Sequence, residues 1–179
     1  MMSKITNNTV IKINNKLYFC KDIQTITEQK ITITNLELYD YSSQKFIKMT
    51  LNNIDNIQTI SLLASEIVFA SRNESIANFT CKGEIYSLDT QIIDFSFIAL
   101  GSQCIGYFYQ DKLMKVCPND QVILSVKKCE RKNQRWQYTG MKNVLLESEI
   151  WIQVPLESEI SVGDKIKIDT KNYTFISKV

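Results

Sequence analysis

The chain has 179 residues, 44% of them hydrophobic, a formal net charge of +2, five cysteines and no histidine. The apolar fraction is sufficient for packed cores, and the low net charge does not support a general coating of nucleic-acid phosphates. The lack of histidine removes most metal and acid–base chemistry, and the scattered cysteines form no Cys-x-x-Cys pair typical of a zinc site. We therefore expect reduced thiols, no metal or other cofactor, no membrane span and no amino-terminal leader, as in a cytoplasmic protein.

Short alternating strands at the amino terminus predict a small β-barrel. Apolar residues alternate over 11–13, the pattern breaks at Asn14-Asn15 and it resumes over 18–20. This is typical of a hairpin, because asparagine tolerates the positive φ of tight turns. Two further apolar-rich runs, over 31–38 and 46–51, flank a polar turn and predict a second strand pair.

The middle of the chain, residues 61–118, carries a weaker pattern. Apolar residues at 67–69 and 79–86 indicate further strands. The run 92–100 fits either a buried strand or a short helix, since periodicity does not separate the two.

Alternation returns over 122–126 and again over 150–154, where isoleucine and valine alternate with Trp151 and Gln153. Pro155 cannot donate to a strand ladder, so it should end this strand or lie on a sheet edge. Gly163-Asp164 is a turn signal, and residues 166–168 then alternate with lysines. The two strands and their turn predict a hairpin-like unit that closes the chain.

The order of these closing residues resembles the carboxy-terminal signature of bacterial elongation factor P. The residues at matching spacing are Lys142, Val154, Pro155, Leu156, Gly163, Ile166, Ile168, Asp169, Thr170, Phe175 and Lys178. The block 36–51 resembles the family's first domain. Residues 105–116 resemble the family's hairpin before the third domain, and Cys117-Pro118-Asn119-Asp120 resembles its proline-containing connector. The resemblance implies an all-β fold of three small barrels: an SH3-like, KOW-type domain at 1–60 and OB-fold-type domains at 61–118 and 119–179.

The resemblance also implies a function in protein synthesis. A member of this family would be a non-enzymatic translation factor that binds the ribosome beside the peptidyl-tRNA, contacts ribosomal RNA and promotes peptide-bond formation at consecutive prolines. It would act as a monomer in a bacterial cytoplasm or an organelle of bacterial origin. Two alternatives stay open: a degenerate ribosome or RNA-binding module without peptidyl-transferase activation, and a β-rich interaction scaffold.

A loop in the first domain is the first candidate site. The family carries a lysine there between glycines, commonly extended by a modifying enzyme and directed at the peptidyl-transferase centre. Here Lys30 matches this lysine, and a one-residue shift would place Gln29 there instead. The glycines are absent, and glycine is the residue that adopts positive φ with the least steric strain. The alternative interpretation is a plain hairpin with a solvated lysine.

A basic and aromatic run is the second candidate, because cationic side chains bind phosphates and aromatic faces stack on bases. It stands where the family carries a loop directed at the small ribosomal subunit. The alternative is a long solvated hairpin loop with one anchoring tryptophan. The candidate RNA or ribosome contacts are Lys127, Lys128, Arg131, Lys132, Arg135 and Trp136, followed by Tyr138.

Overall fold

The computed structural model describes residues 5–28, 31–52, 57–131 and 134–179. Strands arranged in three five-stranded antiparallel sheets make up most of this part of the chain, which confirms the all-β prediction with three small barrels. None of the helices in the described ranges has the length and apolarity needed to cross a membrane.

The first barrel contains strands β1 to β5, in the sheet order β4-β3-β2-β1-β5. The hairpin predicted at Asn14-Asn15 is confirmed, since both asparagines adopt positive φ, at 47° and 64°, between paired β1 and β2. The predicted second pair is also confirmed as β3 and β4. The strands are β1 (Thr9–Ile13), β2 (Lys16–Glu28), β3 (Ile31–Asp40), β4 (Lys45–Leu51) and β5 (Ile57–Thr59).

The second barrel contains β6 to β10, in the order β10-β9-β6-β7-β8, and its edge strands β8 and β10 meet to curl the sheet closed. The predicted hairpin at 105–116 is confirmed as β9 and β10. The connector to the third barrel is shorter than expected, because β10 runs on through Cys117 to Pro118. The strands are β6 (Leu63–Arg72), β7 (Ile76–Cys81), β8 (Glu84–Asp89), β9 (Gln103–Tyr109) and β10 (Lys112–Pro118).

The prediction of a strand or helix over 92–100 is wrong. A 3₁₀ turn, Thr90–Ile92, is followed by irregular chain. Several of its apolar residues are buried all the same, Ile93 and Ile98 with the second barrel and Phe97 with the third, whereas Leu100 is 74% exposed. A segment that packs between two barrels needs apolar side chains, but they need not recur at the spacing of a helix or a strand. The sequence pattern therefore did not identify the structure.

The third barrel contains β11 to β15, in the order β13-β12-β11-β14-β15, with β13 and β15 in contact. It repeats the arrangement of the second barrel, as expected for two OB-type folds. Its helical elements are α1 (Gln134–Thr139) and the 3₁₀ turn Leu156–Ser158. The strands are β11 (Gln121–Cys129), β12 (Met141–Leu146), β13 (Trp151–Pro155), β14 (Lys165–Asp169) and β15 (Thr174–Lys178).

The hairpin-like unit predicted from 150–154 and 166–168 is wrong in its pairing. Both strands exist, but β13 pairs with β12, whereas β14 pairs with β11 and β15. The 3₁₀ turn after Pro155 carries the chain away before Gly163, so the two strands lie in different parts of the barrel. Pro155 itself is the last residue of the edge strand β13, as predicted.

The first and second barrels share a cluster of buried residues, whereas the third barrel has a core of its own. Neighbouring residues on β1, β2 and β3 face opposite sides, so the sheet is buried on both faces there. The predicted division at 60/61 and 118/119 stays a prediction, since one cluster spans the first boundary. Val10, Phe19 and Tyr39 pack with the second barrel, whereas Ile11, Tyr18 and Leu38 form the first barrel's own core.

Candidate functional sites

The β2–β3 hairpin of the first barrel, called the ribbon below, extends beyond its neighbouring strands. Its register runs from Tyr18↔Asp40 to Glu28↔Ile31. Among the described residues, β1 pairs with β2 only as far as Cys20, and β4 pairs with β3 only as far as Thr34. The last three pairs therefore belong to the ribbon alone, a length of about 10 Å at the usual rise per strand residue.

The free part of the ribbon is lined by β-branched residues. Thr27 and Thr32 place their hydroxyl oxygens 3.4 Å apart on one face. On the other face Ile26 and Ile33 lie opposite each other and are 49% and 37% exposed. Cross-strand pairs of this kind stabilise a two-stranded ribbon without a core beneath it.

The base of the ribbon is held by a polar cluster that the sequence did not reveal. A bulge between Cys20 and Asp22 interrupts the register. Asn7 spans this bulge, donating from Nδ2 to Oδ1 of Asp22 at 3.2 Å and accepting the backbone N–H of Ile23 at 3.0 Å. These bonds fix the direction in which the ribbon leaves the barrel.

The two candidate residues at the end of the ribbon, Gln29 and Lys30, lie outside the described residues. The pairing of Glu28 with Ile31 leaves only these two residues to connect the strands. In the sequence, neither of these two residues is flanked by the glycines that flank the family's lysine.

The basic segment, residues 127–138, begins within β11 and not in a loop. A bulge between Val126 and Lys128 lets two consecutive lysines, Lys127 and Lys128, face solvent. Nζ of Lys127 forms an ion pair with Oε1 of Glu149. Lys128 and Arg131 are exposed.

Two of the predicted contacts in this segment have no described side chain. Lys132 lies outside the described residues, and Arg135 is described only as part of the backbone of α1.

Trp136 anchors the basic segment to the barrel. Its indole Nε1 donates to Oε2 of Glu130 at 3.3 Å. The same oxygen accepts the backbone N–H and the side-chain amide of Asn143 on β12, at 3.1 and 3.0 Å. The ring left open to solvent in this segment is that of Tyr138, which is 88% exposed.

Several residues of the carboxy-terminal signature hold the third barrel together. Nζ of Lys142 donates to the carbonyl oxygen of Ile160, and Nζ of Lys178 lies 2.6 Å from Oδ2 of Asp164. The hydrogen bond from Lys178 lowers the pKa of Asp164. The Thr170 hydroxyl donates to the carbonyl oxygen of Asn119 at 2.8 Å, which joins β14 to the start of the barrel. These contacts stabilise the fold, so this part of the signature specifies structure.

The segment between Gly101 and Gly106 contains a buried thiol and a hydrogen-bonded hydroxyl. Cys104 lies in β9 with 0% exposure, and burial raises the pKa of its thiol to about 12. The Ser102 hydroxyl oxygen accepts the backbone N–H of Ala99 at 3.1 Å. Within the described ranges, no three histidine, cysteine or acidic side chains gather where they could hold a metal ion.

The comparison with protein families gives a match on the third barrel. Residues 122–178 match the family model of the elongation factor P carboxy-terminal domain. Comparison with curated proteins gave no match. The matched range begins at the second residue of β11 and ends at the last residue of β15, so it covers the whole barrel.

Proposed function

We propose that this chain is a member of the elongation factor P family, because its carboxy-terminal barrel matches the model of that family's carboxy-terminal domain, and that it binds the ribosome beside the peptidyl-tRNA and promotes peptide-bond formation at consecutive prolines. The observation that carries the proposal is the family match over residues 122–178, on a chain with two further barrels ahead of it. The ribbon supports it, because a projecting two-stranded arm suits a protein that must reach into a narrow site.

The proposed contribution to catalysis is orientation. The chain would hold the peptidyl-tRNA in a productive geometry while the ribosome performs the chemistry, an entropic effect that needs no catalytic residue. Lys30 would lie at the working end of the ribbon as the candidate for a lysine-modifying enzyme, with Gln29 as the alternative position. The protein would act as a monomer, without a cofactor, in a bacterial cytoplasm or an organelle of bacterial origin.

The basic segment would provide the RNA contact of the third barrel. The exposed cations at Lys128 and Arg131 suit phosphate groups, and the exposed ring of Tyr138 suits a base. Trp136 would act indirectly, since its indole is used to hold the segment against β12.

The test is reconstituted bacterial translation of a reporter with three consecutive prolines, with and without the protein. We expect relief of stalling at the proline codons, and loss of that relief in Lys30→Ala. Lys16→Ala is the matched control, since Lys16 is an exposed lysine at the opposite end of β2. Full stall relief by Lys30→Ala would remove Lys30 from the mechanism.

One observation favours a second candidate, a ribosome or RNA-binding module that has lost peptidyl-transferase activation. The ribbon connects its strands through two residues without glycine, where the family uses a glycine-flanked lysine. This candidate predicts salt-dependent co-sedimentation with ribosomes but no stall relief, even for protein purified from its native source. A third candidate, a scaffold that binds no RNA, predicts neither.

A further inference from the structure

The outer face of the third barrel carries a tryptophan that has no structural use among the described contacts. Trp151 is the first residue of β13 and is 48% exposed. The alternate positions of the same strand, Ile152 and Val154, face the other way and fill the core at 3% and 0% exposure. No ring contact, cation–π contact or hydrogen bond within the described residues involves the indole.

Strand pairing places Trp151 in a row with an aliphatic and a cationic side chain. Trp151 lies opposite Leu145 on β12, and Leu145 lies opposite Lys128 on β11. Directly opposite residues share a face of the sheet, so the three side chains stand next to each other. The following row on β12 and β13 pairs Asn143 with the exposed amide of Gln153.

The position of this row in the barrel matters. In OB-folds the face of the second and third strands, together with the loop between the first and second strands, binds single-stranded nucleic acids. Here β12 and β13 are the second and third strands, and the basic segment leads into the loop between β11 and β12.

OB-folds also bind ligands through the loop between their fourth and fifth strands. Here this loop joins β14 to β15, and its side chains make contacts at the junction with the preceding part of the chain. Tyr173, between β14 and β15, contacts the ring of Phe97 edge-on, with the centroids 4.7 Å apart. Its neighbour Lys171 pairs with Asp120 at 2.6 Å. The loop that carries the basic segment is therefore the one left for a ligand.

Charge favours a polyanion on this face. No ion pair or hydrogen bond within the described residues involves the side chain of Lys128 or Arg131. The nearest exposed acid at the turn before Trp151, Glu149, is paired with Lys127. The face thus combines an open aromatic ring with cations that are available to phosphates, which is the pairing that single-stranded nucleic acids require.

We propose that the outer face of β11 to β13 binds an unpaired RNA segment, with one base stacked on Trp151 and the adjacent phosphate held by Lys128. The proposal deepens the function proposed above and rests on it for the choice of RNA. It adds a base-stacking residue that lies outside the basic segment.

Intrinsic fluorescence tests the site directly, because the chain has two tryptophans. In Trp151→Phe the emission comes from Trp136 alone, so the difference between the unchanged chain and Trp151→Phe gives the emission of Trp151. We expect a single-stranded oligouridylate of about ten nucleotides to quench this emission, with binding that weakens as salt rises. An RNA duplex of the same length should leave the emission nearly unchanged, since its bases are not free to stack.

Affinity measurements on an otherwise unchanged chain complete the test. Trp151→Ala should weaken oligouridylate binding by roughly 5- to 150-fold, the range expected for the loss of one stacked base. Trp151→Phe should retain most of the affinity. Ile85→Ala, at a 72% exposed position in β8 of the second barrel, is the matched control and should change nothing. Because Trp151 is half exposed, these variants should fold, which circular dichroism verifies.

Two outcomes would overturn the proposal. The first is binding of a labelled oligouridylate with no change in Trp151 emission, which would place the RNA elsewhere. The second is equal quenching by duplex and single strand, which would exclude base stacking. Failure of the proposed function is a separate result: there the protein would neither sediment with ribosomes nor relieve the proline stall, whatever the oligonucleotide does.

Discussion

Replacing Tyr39 by phenylalanine removes a single hydroxyl from the contact between the first and second barrels. This hydroxyl donates to Oδ2 of Asp89 at 2.6 Å. The ring is 2% exposed and lies edge-on to Tyr41 and Phe46. Burial, and then the carboxylate of Asp89, hold the pKa of Tyr39 well above its ordinary value, so the hydroxyl is a donor at neutral pH.

The structure sets the expected magnitude. A hydrogen bond to a charged group contributes about 1.5–3 kcal/mol to stability. Asp89 is half-buried, so water can replace part of the lost interaction, and phenylalanine keeps the ring contacts. We therefore expect Tyr39→Phe to lower the free energy of unfolding by about 1.5 kcal/mol, at the low end of that range.

Urea unfolding followed by circular dichroism measures this change, and a double-mutant cycle with Asp89→Ala isolates the pair. Asp89 also accepts the backbone N–H of Gln91 through Oδ1 at 2.9 Å. Asp89→Ala removes this second hydrogen bond whether residue 39 is tyrosine or phenylalanine, so its contribution cancels in the coupling energy. We expect a coupling of about 1.5 kcal/mol, equal to the effect of the hydroxyl.

The refuting result is clear. If Tyr39→Phe changes the free energy of unfolding by less than about 0.5 kcal/mol and the coupling is near zero, the hydroxyl is no better satisfied in the folded protein than in the unfolded chain. The contact between the first two barrels would then depend on apolar packing alone.

Three further predictions concern packing, thiols and acid. Gly106→Ala places a Cβ 2.9 Å from two side-chain carbons of Ile67; thermal or urea unfolding should show a loss of about 1–3 kcal/mol, partly restored by Ile67→Val. Iodoacetamide labelling of the native protein near pH 8, measured by mass spectrometry, should leave Cys20 and Cys104 unmodified. Both are 0% exposed, and burial raises the pKa values of their thiols to about 11 and about 12. Early labelling of either cysteine would contradict the packing. Lys178 lowers the pKa of Asp164, so this carboxylate stabilises the fold above its unfolded pKa of about 3.9 and loses that effect as pH falls through the lower folded value. Asp164→Asn should therefore lower stability at neutral pH and flatten the loss of stability below about pH 4, and an unchanged acid profile would refute the assignment.

The elements that the sequence predicted correctly depend on local chemistry. Asn14-Asn15 fixed the first hairpin because asparagine tolerates the positive φ observed at both positions. Alternating apolar residues predicted β11, β13 and β14, and Pro155 correctly marked the end of an edge strand. Each of these predictions needed only a few consecutive residues.

The errors arose where distant parts of the chain decide the outcome. Strand β14 pairs with β11, whose residues lie 40 to 48 positions earlier in the chain, and nothing near Gly163 encodes that choice. The segment 92–100 kept its apolar residues without a period, because Ile93 and Phe97 serve different barrels. The register bulge that exposes both Lys127 and Lys128 was likewise invisible, since it depends on the pairing with β12.

In the candidate sites, too, the sequence predicted local features but not contacts between distant residues. Charge and aromatic content located the basic segment, but its sequence did not show that Trp136 is held by Glu130. Trp151 was read only as the outward residue of an alternating strand. Its place beside Leu145 and Lys128 follows from two strand pairings that the sequence alone does not give.

The core shared by the first two barrels has a consequence during synthesis of the protein itself. When the first barrel leaves the ribosomal exit tunnel, its apolar face at Val10, Phe19 and Tyr39 has no cover until β6 to β10 have also emerged. At typical elongation rates this interval lasts several seconds or more. The nascent chain is therefore open to chaperones and to aggregation over the synthesis of the second barrel, whereas the third barrel closes its own core as soon as its last strand appears.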